Sequence, residues 1–129
     1  MAKIILFDAV GTLFGVRDTV GEVYQKFASE WGVDVSPVAV NQSFFDSFKA
    51  APPMAFPGTE SAKILDLEFE WWCRVAAETY KKLGVLEQFS DFRGFFGELY
   101  DYFATDAPWL VYPDVKPALT KWRESGIKL

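Results

Sequence analysis

Residues 4–14 read Ile4-Ile5-Leu6-Phe7-Asp8-Ala9-Val10-Gly11-Thr12-Leu13-Phe14. The first four form a short continuous apolar run, the pattern of a strand buried on both faces of a parallel sheet. The run stops at Asp8, and Gly11 and Gly15 mark an irregular segment behind it. A carboxylate at the C-terminal end of a buried parallel strand stands where open α/β sheets bind ligands. A glycine-containing turn beside it lets backbone N–H groups point at the same spot, which suits an anionic substrate next to a carboxylate nucleophile. An aspartate that caps the turn has the same spacing, so the residue pattern alone leaves both roles open for Asp8.

Working outward, Thr19-x-x-Glu22 is a capping-box pattern. Behind it Val20, Val23, Tyr24, Phe27 and Trp31 recur at helical spacing, and Gly32 ends the run. Ser36-Pro37 opens a second helix with proline in the first turn, and Val40, Phe44, Phe48 and Ala51 share one stripe. Residues 51–58 carry Pro52, Pro53 and Pro57, a density that removes backbone donors and dictates a loop. Leu65, Phe69, Trp72, Ala76, Thr79 and Leu83 mark the longest helix, ended by Gly84. Asp91 is placed to cap a fourth helix carrying Phe92, Phe95, Phe96, Leu99, Tyr102 and Phe103. Four amphipathic helices with short connections predict an antiparallel bundle whose core is the aromatic stripes.

Tyr112-Pro113-Asp114 then breaks the chain. Val115, Leu119 and Trp122 lie on a last helix closed by Ser125-Gly126, and Ile127-Lys128-Leu129 begins a strand. Strand, helical insertion, return helix and second strand make one β–α–β crossover, whose sheet is parallel. The expected class is therefore α/β, although most of this chain is helical. The expected divisions are 1–17 for the first strand and its turn, 18–108 for the helical insert, and 109–129 for the return helix and strand stub.

The chain has 129 residues, 18 Asp plus Glu against 13 Lys plus Arg, and a net charge of −5. Half its residues are apolar and 18% are aromatic, which excludes a highly charged disordered chain. The length suits about one domain. The acidity argues against nucleic acid as a partner, and no run approaches the ~20 apolar residues of a membrane span. The opening apolar run is too short for a signal peptide, and one cysteine forms no internal disulfide. A soluble protein of a reducing compartment, the cytoplasm, is the expectation. The absence of histidine excludes serine–histidine triads, histidine bases and histidine metal sites within the chain. The charge is uneven: residues 18–108 hold fifteen acidic and seven basic side chains, whereas both ends are weakly basic and look like a separate structural unit.

Asp8-x-x-Gly11-Thr12-Leu13-Phe14 after an N-terminal apolar strand resembles motif I of the haloacid dehalogenase (HAD) superfamily. The insertion behind it resembles that superfamily's helical cap of type C1. Trp109-Leu110-Val111-Tyr112-Pro113-Asp114-Val115, then Leu119, Trp122 and Gly126, resembles the return into the catalytic core. The resemblance implies that Asp8 is the nucleophile, attacking a phosphoryl group or a halogen-bearing carbon to form a covalent aspartyl intermediate. In the phosphatase branch it implies Mg²⁺ bound by Asp8 and by the backbone carbonyl of Val10. It also implies N–H groups of Ala9, Val10 and Gly11 around the phosphate of a small metabolite, and a turn held by the Thr12 hydroxyl.

Two departures from the family pattern bear on function. Phosphatases of the family carry a second aspartate where this chain has Val10, and losing such a general acid–base costs about 10²–10⁴-fold. Family dehalogenases also lack that aspartate but need a cap cation, for which Arg17 in the hinge and Arg74 are the first arginines; a dehalogenase parent ranks below a phosphatase. The serine or threonine of motif II, the lysine of motif III and the acidic ligands of motif IV would all follow Leu129. The expectation is an N-terminal portion of a longer Mg²⁺-dependent phosphatase, inactive alone and binding Mg²⁺ weakly or not at all. The unpaired first strand is an expected route to homo-oligomers. The alternative is a catalytically silent helical module for binding or self-association.

Other polar residues have plainer readings. Cys73 lacks a histidine partner and reads as an inert thiol. Glu68, Glu70 and Glu78 read as a solvated helix face, Lys81 and Lys82 as charges favourable to a helix C-terminus, and Asp18 as a neighbour of the first cap. Residues 52–58 are a candidate specificity loop.

Overall fold

The computed structural model describes residues 3–129. They fall into two units, one formed by the chain up to Arg17 together with Asp106–Leu129, the other by Asp18–Thr105.

The second unit is helical. Its α1 (Val20–Glu30) begins in a complete capping box: the Thr19 N–H donates to Glu22 Oε2 at 2.8 Å, and the Glu22 N–H donates to Thr19 Oγ1 at 3.1 Å. These bonds hold the exposed Glu22 carboxyl below its ordinary pKa. Ser36 caps α2 (Pro37–Ala50), with Pro37 in its first turn. The long α3 (Ser61–Lys82) starts four residues before Leu65, the first apolar residue of its stripe, and has no side-chain cap. Leu65 is 72% exposed, so the stripe's first member belongs to the surface; burial starts almost three turns later, at Val75, Ala76, Thr79 and Tyr80. A 3-10 turn at Leu86–Gln88 leads to α4 (Phe92–Phe103), capped by Asp91 Oδ1 accepting from the Gly94 N–H at 2.9 Å.

Tyr80 lies at the centre of this unit's core. Its ring stands 4.9 Å from Phe89 and 5.5 Å from Phe95, and stacks 6.4 Å from Tyr24. Phe95, Phe96 and Leu99 of α4 and Val40 of α2 are buried in the same unit. One polar seam crosses the α2–α3 packing, where the Ser43 hydroxyl donates to the Thr79 carbonyl at 2.8 Å.

In the first unit the sheet differs from the sequence expectation. β1 (Phe14–Val16) pairs antiparallel with β2 (Trp109–Val111), matching Phe14 with Val111 and Val16 with Trp109. The anticipated first strand at residues 4–7 is reduced to one parallel bridge, Ile4 with Lys128, held by Ile5 N–H to Lys128 carbonyl and Lys128 N–H to Lys3 carbonyl, both 2.9 Å. Only a three-residue stub runs alongside it among the described residues, too little for a ladder. The parallel sense is the one a β–α–β crossover requires. The return helix is α5 (Val115–Glu124), from which Trp122 packs 5.8 Å from the Phe7 ring. Among the described residues no helix is long and apolar enough to cross a membrane.

Candidate functional site

Asp8 ends the extended segment and opens a single tight turn. The Ala9 carbonyl is the hub of that turn, accepting from Leu13 N–H at 2.8 Å, Thr12 N–H at 3.2 Å and Phe14 N–H at 3.4 Å. Gly11 lies at φ +87°, a conformation that side chains with a Cβ rarely adopt. Its N–H turns back to the Phe14 carbonyl at 2.8 Å. In this conformation the Gly11 and Thr12 N–H groups are both used inside the turn. No acceptor among the described residues pairs with the Ala9 or Val10 N–H, and both residues are exposed.

The Asp8 carboxylate is exposed too. Thr12 Oγ1 points at its Oδ2 from 3.5 Å, a long hydrogen bond that spans the turn from below. The Thr12 hydroxyl thus holds the turn by reaching across it to the carboxylate. The spacing Asp-x-x-x-Thr carries that signal, since a glycine turn between them folds the two side chains together. Val10, 55% exposed, presents only methyl groups beside Asp8.

Behind the turn, the β1–β2 pair fixes where it sits. Tyr112 N–H donates to the Leu13 carbonyl at 3.1 Å. A Cβ on Gly15 would meet Tyr112 Oη at 2.7 Å, so glycine is what lets that ring lie on β1. Arg17 is committed here as well: its N–H donates to the Pro108 carbonyl at 2.7 Å and Nη2 to the Trp109 carbonyl at 3.1 Å. A guanidinium tied to a strand carbonyl is poorly placed to hold a haloacid carboxylate.

A family model for haloacid dehalogenase-like hydrolases matches residues 2–129. The chain belongs to this HAD-like hydrolase family. Three proteins called haloacid dehalogenase-like hydrolase domain-containing protein 3 are similar to it. That of Xenopus tropicalis is 28% identical over 127 residues, 98% of this chain and 66% of that protein. Those of Mus musculus and Homo sapiens are 28% and 26% identical, each with 49% of its length covered. The chain thus spans between about half and two-thirds of these curated relatives.

The HAD family's Mg²⁺ can be tested against the residues present. Magnesium wants an octahedral oxygen shell, commonly one or two carboxylates plus substrate phosphate. Among the described residues no group of three or more His, Cys, Asp or Glu side chains gathers to hold a metal. Asp8 and the Val10 carbonyl offer one carboxylate and one neutral oxygen, a partial donor set that does not by itself make a metal site.

The remaining candidates sit in the helical unit. Glu70 accepts a hydrogen bond from Arg93, which holds its carboxyl below the ordinary range, and Arg93 also covers the Phe69 ring at 5.0 Å. Glu78 pairs with Lys81 at 3.5 Å. Cys73 is half-buried, and burial pushes its thiol pKa up, away from the thiolate that a nucleophile needs.

Proposed function

We propose that this chain supplies the nucleophile, phosphate-binding turn and C1 cap of a HAD-like phosphohydrolase that acts on a small phosphorylated metabolite in the cytoplasm. Asp8 attacks phosphorus, the leaving alkoxide departs, and the aspartyl phosphate is then hydrolysed by water. The Ala9 and Val10 N–H groups hold the phosphoryl oxygens, and Thr12 keeps the carboxylate aimed. The observation that carries this reading is the exposed Asp8 carboxylate beside those two N–H groups in a chain of this family. Residues 18–108 serve as the cap in this proposal, and residues 52–58 as its specificity loop.

By itself the 129-residue chain is proposed to be inactive. It has no proton carrier at position 10 and no lysine known to face the phosphate, and phosphoryl transfer depends mostly on electrostatic stabilisation of the transferred charge. With Mg²⁺ and p-nitrophenyl phosphate, the chain and its Asp8→Asn variant are expected to give the same background. Activity that disappears in Asp8→Asn would overturn the inactivity. In a longer parent that carries the missing motifs, Asp8→Asn is expected to abolish turnover and Val10→Asp to raise it by about 10²–10⁴-fold. Undiminished turnover in that Asp8→Asn parent would refute the nucleophile.

A second reading is a silent module that self-associates. It is favoured by Val10 and by the exposure of the first segment, with Ile4 59% and Leu6 89% exposed. Light scattering on a sizing column is expected to show dimers that Leu6→Lys converts to monomers. A monomer at every concentration of the unaltered chain would sink it.

A further inference from the structure

Within the helical unit a groove of about 310 Å³ runs between the end of α2 and the second half of α3. Ser47 and Ala50 line it from α2, and Trp71, Arg74, Val75 and Glu78 from α3. The small side chains of α2 are what leave the space open. Trp71 Nε1–H donates to the Pro52 carbonyl at 2.9 Å, which fixes the start of the following loop as one wall. The same indole is held edge-on by Phe48 at 5.9 Å and Trp72 at 4.7 Å. The result is a largely apolar, partly rigid slot at the small end of the size range for ligand sites.

Two polar features of the slot are left over by the fold's own hydrogen bonds and close ion pairs. Ser47 is only 4% exposed, yet its hydroxyl has no hydrogen-bond partner among the described residues. Its neighbour one turn earlier, Ser43, shows the usual solution by donating to Thr79. A buried polar group left unpaired is unfavourable, and functional need is a standard reason for keeping one. The second feature is Arg74. The acids one turn to either side are already engaged, Glu70 by Arg93 and Glu78 by Lys81. Arg74 has no carboxylate within 4.0 Å among the described residues, although its charge helps to hold the Glu70 carboxyl down, and Lys82 adds a further positive charge at the groove's end.

We propose that this groove binds a small aromatic anion. The Arg74 guanidinium takes the anionic head, a carboxylate or a phosphate monoester, in a bidentate pair, and the Ser47 hydroxyl donates to the same head. The flat ring lies against Trp71 and Val75. The volume limits the ring system to one or two rings. Glu78 stands against an anion, but its charge is offset by Lys81 and Lys82. This inference does not depend on Asp8, so its failure leaves the proposed nucleophile untouched.

The test is an NMR titration of the full chain with 2-naphthoate, 2-naphthyl phosphate and the neutral 2-naphthalenemethanol, following the Trp71 indole N–H. At least one anion is expected to shift that signal saturably and to bind about tenfold more tightly than the alcohol. Whichever anion binds better identifies the head group. Arg74→Gln, an exposed change that leaves the fold intact, is expected to weaken binding about tenfold. Ser47→Ala is expected to weaken binding about threefold while raising Tm, because it removes an unpaired hydroxyl. Equal binding of the alcohol, an unchanged affinity in Arg74→Gln, or a lower Tm with unchanged affinity in Ser47→Ala would each overturn the proposal.

Discussion

Tyr80→Ala is expected to cost the helical unit about 3–5 kcal/mol, the range for truncating a fully buried aromatic side chain. In a domain of this size class that lowers Tm by at least ~12 °C, measurable by far-ultraviolet circular dichroism. The magnitude follows from position. Tyr80 is fully buried, and Tyr24, Phe89, Phe92 and Phe95 all pack against its ring. These partners come from α1, the connection after α3, and α4, so the cavity would be lined from several sides and collapse poorly. The hydroxyl adds a separate, smaller share by donating to the Tyr24 carbonyl at 3.1 Å; Tyr80→Phe is expected to cost about 0.5–1.5 kcal/mol. Burial pushes the phenol pKa of Tyr80, and with help from Cys73 that of Tyr24, well above the ordinary 10.0. The unfolded chain then loses these protons first, so stability is full below pH 10 and falls as pH rises beyond it. Tyr80→Phe should flatten that alkaline decline. A Tyr80→Ala loss under ~1 kcal/mol, or an alkaline limb unchanged by Tyr80→Phe, would contradict this account of the core.

Where the sequence was legible, local chemistry and burial agreed. Thr19-x-x-Glu22 forms both halves of its capping box, and Gly32 ends the first helix at φ +78°. Each signal acts within a few residues of its own position, so neighbours in sequence are neighbours in space. The β1–β2 pair was not legible, because Phe14 and Val111 are far apart in sequence and each strand is three residues long. No period can establish itself in three residues, and Gly15 reads as a breaker. Its reason for being glycine is the Tyr112 ring, a partner almost a hundred positions away.

The candidate site divides along the same line. Asp8 and Gly11 were visible because the turn needs them locally. Arg17 spent on the Trp109 carbonyl was not, since sequence gives residue types without directions. Arg17 read as a hinge residue and as a cap cation for the lower-ranked dehalogenase. The hydrogen bond to a strand carbonyl gives it a structural job instead.

Directions matter most where two residues look identical in sequence, and two helical glycines provide the case. Gly97 in α4 has open space where a Cβ would go, so Gly97→Ala is expected to stabilise by about 0.5–1 kcal/mol through helix propensity. Gly21 in α1 has the same propensity to gain and is expected to respond with the opposite sign. A Cβ there would lie 2.1 Å from the Pro37 carbonyl oxygen and 2.6 Å from Asn41 N and Cβ. Two of those three atoms are backbone and cannot rotate away. The Gly21 N–H is meanwhile bound to Asn41 Oδ1 at 3.1 Å, so the first turns of α1 and α2 are held at this distance. Relief requires α1 and α2 to separate, which opens the Tyr24–Phe44 contact at 5.3 Å beneath them. Overpacking costs about 1–3 kcal/mol and more where the neighbours are backbone. Gly21→Ala is therefore expected to destabilise by roughly 2 kcal/mol and Gly21→Val by at least ~3 kcal/mol, read from urea denaturation midpoints. Equal and favourable responses at both glycines would mean that α1 and α2 do not meet as closely as the Gly21 geometry requires.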